Sequence, residues 1–109
     1  MVDQSIIKSV RKYLHNLTLS GIPVTFGVVF GSRATGQADK WSDIDLLVIS
    51  PRFDDQHTWE DARLLWHVAA RTDTRIEPIP VGVRQFAEDD SSAIIEIARR
   101  AGQIIPLAG

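Results

Sequence analysis

Gly31-Ser32 and Asp43-Ile44-Asp45 are the residues of this chain best suited to chemistry, and ten residues separate them. They lie in VVFGSRATGQADKWSDIDLLVIS, between two apolar runs. A glycine-serine turn at the end of a strand can hold phosphate oxygens. Glycine allows a backbone angle or a close approach that a β-carbon would block, and successive N–H groups can then point at the anion. The serine hydroxyl can donate one more hydrogen bond. Side chains alternate along a strand, so aspartates two apart share a face. Two like charges so close are costly unless a cation or a donor compensates. Magnesium suits such a pair: it takes few carboxylates, keeps several waters, and completes its octahedron with phosphate oxygens. A phosphate cradle beside a two-metal carboxylate pair points to chemistry on a nucleoside triphosphate. An isolated Asp-x-Asp reads more simply as a turn cap with an arginine partner; the Gly-Ser element at this spacing favours the metal reading. No Gly-Lys-Ser/Thr follows, so this is not a Walker-type loop.

The elements that must position these residues are legible around them. Ile6, Ile7, Val10, Leu14 and Leu17 fall at helical spacing, and the helix should end before Gly21-Ile22-Pro23. Val24 to Phe30 is rich in β-branched and aromatic residues and reads as a strand. Gly31 to Trp41 reads as a loop that opens with a helical turn at Arg33–Gln37. Ile44 to Ile49 is apolar on both faces, which places it centrally in a sheet covered on both sides. The aspartates then sit at that strand's beginning, beside the Gly31 loop. Thr58-Trp59-Glu60-Asp61 resembles a capping box with Asp in place of Glu or Gln, and Ala62, Leu65, Trp66 and Ala69 follow it at helical spacing. Asp73 to Val81 reads as a third strand, and Pro78 and Pro80 put it at a sheet edge. Ser91 or Ser92 caps a last helix with Ile94, Ile95, Ile97 and Ala98, and Gly102 stops it. The sum is a small α/β layer structure in the order helix, strand, loop, strand, helix, strand, helix.

Bulk properties narrow the field. The 109 residues suit one domain, residues 1–109, with a real core and no room for a second. A hydrophobic content of 44% and a charged content of 24% are ordinary for a globular protein. The net charge of -2 offers no basic footprint for general nucleic-acid binding, yet leaves room for a small phosphorylated ligand. With no cysteine, disulfides, thiolate catalysis and cysteine-ligated zinc are impossible. No apolar stretch is long enough for a membrane span and the N-terminus has no signal core, so the chain reads as soluble and cytoplasmic.

FGSRATG...WSDIDLLVIS resembles the signature of the polymerase-β-like nucleotidyltransferase superfamily in its minimal form, the MNT domain. Gly31, Ser32, Asp43 and Asp45 match its pattern position by position, and the specific match covers about residues 26–50. The resemblance implies a small mixed sheet with flanking helices, of α/β (α+β) class. It also implies magnesium-dependent nucleotidyl transfer, with two Mg2+ ions and ATP or another nucleoside triphosphate as substrate. Gly31, Ser32 and Arg33 would hold phosphates, and Asp43 and Asp45 the metals. A third carboxylate on a later strand would complete the site: Glu77, with Asp73 as its rival. The plainer role for Glu77 is an edge-strand charge paired with Arg75. Family members often carry a basic residue where Thr35 precedes Gly36, and Arg33 is the candidate to replace it. His15, His57 and His67 show no ligand spacing. Trp41 fits either base stacking or packing, and Trp59 and Trp66 either the core or a partner surface. Asp54-Asp55 and Glu88-Asp89-Asp90 read as solvated loop charges, with Asp90 favouring the next helix N-terminus. Residues 82–90 are either one side of an acceptor site or a plain connector.

The motif and sheet use nearly the whole chain, which leaves the acceptor to another chain, to self-association or to a macromolecular substrate. The resemblance suggests a helical HEPN-type partner protein, a toxin to this chain's antitoxin, that receives AMP. A homo-oligomer is the other form of association. The alternatives are a catalytically silent binding module with the same fold, and an aminoglycoside-type nucleotidyltransferase without its usual extra helical domain.

Overall fold

The computed structural model describes residues 2–55 and 58–107. In chain order these form α1 (Gln4–Leu19), β1 (Phe26–Phe30), α2 (Ser32–Thr35), β2 (Ile44–Ile49), α3 (Arg52–Asp55), α4 (Trp59–Thr72), β3 (Ile76–Val81), α5 (Val83–Glu88), α6 (Ala93–Ala101) and β4 (Gln103–Pro106). The strands make one mixed sheet in the order β3-β2-β1-β4. β1 runs antiparallel to both β2 and β4, and β2 pairs in parallel with β3. Among the described residues no helix is long and apolar enough to cross a membrane.

The strand period of two divides the core. Ile44, Leu46 and Val48 of β2 face one side, with Val29, Ile76 and Ile105, and pack on α1 and α4. Leu47 and Ile49 face the other, with Val28, Phe30 and Val81, under Ile95 and Ala98 of α6 and the α5 side chains Val83 and Phe86. Both faces of β2 are therefore covered, as its unbroken apolar run requires. α1 and α4 are further joined by Tyr13, whose buried hydroxyl donates to Leu65 O at 2.8 Å. Burial pushes the Tyr13 phenol well above its usual range.

Local signals explain most boundaries. Asp3 caps α1, accepting from Ser5 N at 2.9 Å. Thr58 and Asp61 form the capping box of α4. Asp61 is only 5% exposed and also accepts from Arg52 Nη2 at 2.9 Å. Ser92 caps α6, accepting from Ile95 N at 3.3 Å.

Several expectations need correction. β3 begins at Ile76, not Asp73, because the Asp73 carboxylate accepts from Arg75 N at 3.0 Å and folds residues 73–75 into a turn. β1 begins at Phe26, and α2 lies at Ser32–Thr35, slightly ahead of its expected place. The short elements α3, α5 and β4 were not expected. Asp54 is not a free loop charge: its carboxylate accepts from Arg84 N at 3.0 Å and Gln85 N at 3.1 Å, and so holds the start of α5. Trp59 and Trp66 are 68% and 51% exposed, which excludes the core. The buried stripe of α4 is Asp61, Leu65, Val68 and Ala69.

β3 is an edge strand, as its prolines predict, and the ladder shows how they are tolerated. Arg75 O accepts from Ile44 N at 2.8 Å and Val81 O from Ser50 N at 3.1 Å, so the odd-numbered peptide groups of β3 face β2. Pro78 and Pro80 point their nitrogens outward and cost the sheet no bond.

Candidate active site at the ends of β1, β2 and β3

The turn after β1 is built around Gly31, whose φ of 73° and ψ of -150° lie where side chains rarely go. A β-carbon there would collide with Asp45 Oδ2. Gly31 O accepts from Ala34 N at 3.0 Å and from Thr35 N at 3.2 Å, which rolls the chain into α2. Gly36, with φ of 79°, ends α2 in the left-handed conformation. The Ser32 turn is thus pressed directly against one of the two motif aspartates.

Register brings in the third acid. Asp45 pairs with Phe30 of β1 on one side and with Glu77 of β3 on the other. Asp45 and Glu77 therefore share a sheet face, and Asp43, two residues before Asp45, lies at the same end. Asp43 is exposed, while Asp45 and Glu77 are half-buried. Asp43 and Asp45 are the charged neighbours that act on Glu77. Its carboxyl is pushed above the ordinary glutamate value, first by desolvation and then by the negative charges of Asp43 and Asp45. The three carboxyl groups converge without closing: among the described residues no group of three or more His, Asp or Glu stands at metal-ligand geometry.

The rival acid is engaged elsewhere. Asp73 takes a two-pronged bond from Arg75, Nε to Oδ1 at 3.0 Å and Nη2 to Oδ2 at 2.7 Å. That hydrogen bonding lowers the Asp73 pKa. Arg75 is accordingly the partner of Asp73 and not of Glu77.

The loop from Gly36 to Asp43 is ordered by its own polar groups. Asp39 Oδ1 accepts from Trp41 N at 2.8 Å, and Ser42 Oγ accepts from Asp39 N at 3.1 Å. Arg33 Nη2 donates to Ser42 O at 2.7 Å. Trp41 is 79% exposed, so packing is not its role, and the Lys40 ammonium stands 4.9 Å from its ring centre. A concavity of ≈ 630 Å³ lies elsewhere, against Glu60, Arg63, Leu64, Trp66 and His67 of α4, and contains none of the motif residues. His15 and His67 are exposed surface residues, and His57 falls outside the described residues.

Known proteins share this fold. The model of the nucleotidyltransferase domain matches residues 7–101. A crystal structure of a candidate nucleotidyltransferase from Sulfolobus solfataricus superimposes with a TM-score of 0.61 at 16% identity, covering 90% of this chain and 77% of its own. A toxin–antitoxin crystal structure with AMP-PNP superimposes with a TM-score of 0.54 at 21% identity, covering 87% of this chain and 71% of its own. No curated protein matches the sequence significantly. The two structures share the fold, and the family match spans most of the chain. The chain belongs to the nucleotidyltransferase-domain family, with the polymerase-β-like fold that its Gly-Ser and Asp-x-Asp motif led one to expect.

Proposed function

We propose that this chain transfers a nucleoside monophosphate, AMP from ATP, to a hydroxyl group on a partner protein, as an antitoxin modifying its toxin. The observation that carries the reading is the convergence of Asp43, Asp45 and Glu77 at the Gly31 turn. The donor set fits magnesium: hard oxygens only, partly open to water, with repulsion that a cation would relieve. When bound, two magnesium ions would supply charge neutralisation for the entering and leaving oxygens of an in-line displacement at the α-phosphorus. Asp43, Asp45 and Glu77 would hold the ions. The Ser32 hydroxyl and the Gly31 turn receive the outer phosphates. The acceptor oxygen bonds to the α-phosphorus, the bond to the β-phosphate breaks, and pyrophosphate leaves. The hydroxyl proton passes to water.

A partner protein as acceptor is supported by the fold shared with a toxin–antitoxin structure. The resemblance to MNT domains suggests a helical HEPN-type protein. The test is co-expression with the neighbouring gene product, then intact mass after adding ATP and magnesium. A gain of one AMP on the partner, absent with Asp43→Asn/Asp45→Asn, is expected. No complex and no gain would overturn the proposal. The open geometry of the trio favours a second reading, a binding module without turnover. If the double variant neutralises the partner as fully as wild type, that second reading holds.

A further inference from the structure

We infer that Arg33 is a positioning residue for Asp43, acting through the loop backbone and not on phosphate; this rests on the reading above that Asp43 binds a metal. Arg33 and Lys40 are the two cations of residues 31–43, so either could serve a triphosphate. Arg33 is turned another way. Its Nη2 donates to Ser42 O at 2.7 Å and closes the loop between α2 and β2. Ser42 O and Asp43 N belong to one rigid peptide plane. Fixing that oxygen therefore fixes the plane from which Asp43 departs. Ser42 is tied a second time through its hydroxyl, which donates to Asp39 Oδ1 at 3.3 Å.

The inner end of the guanidinium is withdrawn from water. Arg33 Nε is buried and has no hydrogen-bond partner. A group free to swing toward an incoming phosphate would keep that nitrogen in water, because leaving a buried donor unpaired is costly. The Arg33 charge is also felt by Asp3, the cap of α1. The side chain thus ties α2 to the loop that leads into β2. Arginine suits this role because its planar fork donates along fixed directions.

The test separates the metal from the phosphate. Arg33→Met keeps the apolar stem and removes every donor, and it is compared with wild type by Mn2+ titration without nucleotide. Inorganic tripolyphosphate binding is measured separately in EDTA. Loss of an outer support weakens metal affinity by about tenfold or more. We expect that loss of Mn2+ affinity, faster amide exchange at Ser42 and Asp43, and tripolyphosphate affinity within about twofold of wild type. Arg33→Lys, which returns one donor to Ser42 O, should recover part of the Mn2+ affinity. Unchanged Mn2+ affinity in Arg33→Met, or a loss of tripolyphosphate binding alone, would overturn the assignment while leaving the proposed function standing. A wild-type protein that binds no Mn2+ would instead sink the metal reading, and this inference with it.

Discussion

Alanine at Gly31, compared with alanine at Gly36, separates a backbone requirement from a carboxylate requirement. Both glycines have positive φ, 73° and 79°. At Gly36 a new β-carbon meets nothing within 4 Å, so only the left-handed backbone matters, at about 1.5 kcal/mol. At Gly31 the ψ of -150° lies in a region open essentially to glycine, which costs about 2 kcal/mol. The methyl group also collides with Asp45 Oδ2 and lies 3.4 Å from its Cγ. Swinging that carboxylate off its rotamer adds about 1 kcal/mol. At about 6 °C per kcal/mol for a domain of this size, Gly36→Ala should lower the thermal midpoint by roughly 9 °C and Gly31→Ala by roughly 18 °C. Calorimetry reads those shifts. Mn2+ titration should then show near-normal affinity in Gly36→Ala and a loss in Gly31→Ala, because only the second displaces Asp45. Equal midpoints and equal Mn2+ affinities in the two variants would refute the reasoning.

Glu77 should make stability depend on pH with a sign opposite to that of an ordinary paired carboxylate. Its folded pKa is raised above the usual 4.5, by desolvation first and by Asp43 and Asp45 next. The stabilisation is full below that usual value and is lost as pH rises through the folded pKa. Glu77→Gln should therefore melt above wild type at about pH 7, with the gap closing toward about pH 4; a gap independent of pH would contradict this. Asp61→Ala removes the partner of Arg52 and half of a capping box from a side chain only 5% exposed. A loss of about 1–3 kcal/mol in denaturant unfolding is expected. Arg52→Ala should cost less, since the Asp61 carboxylate keeps its bond from Thr58 N.

The motif residues of the candidate site were legible because they lie close together in sequence. Gly31, Ser32, Asp43 and Asp45 lie within one hairpin-like segment, and the alternation of β2 alone puts Asp45 on a face with Leu47 and Ile49. Glu77 was harder, since its place depends on the parallel register Asp45↔Glu77, which no short-range signal encodes. Proline at 78 was the available hint, through the extended backbone that it imposes on the residue before it. Asp73 is as close in sequence, and only the fold shows that Arg75 bonds both its oxygens. The elements missed share one cause. α5 is six residues long and takes its cap from Asp54, thirty positions earlier. β4 has four residues and a proline, and only its pairing with β1 makes it a strand. Trp59 and Trp66 are seven apart and share a face, but the buried stripe starts two positions on, at Asp61, which turns both rings to solvent.

The outward nitrogens of Pro78 and Pro80 have a consequence for access. The free margin of β3 offers no amide donors at those two positions, so it is a poor template for another extended chain. The opposite margin, β4, is three strand spacings or about 14 Å from the Glu77 strand and two, about 10 Å, from the Asp45 strand. Strand addition along β3 is therefore an unfavourable route by which another chain could cover Glu77. Backbone zippering would shield the acids from solvent; this border is sealed against it, and the negative cluster stays open to small ions from bulk water.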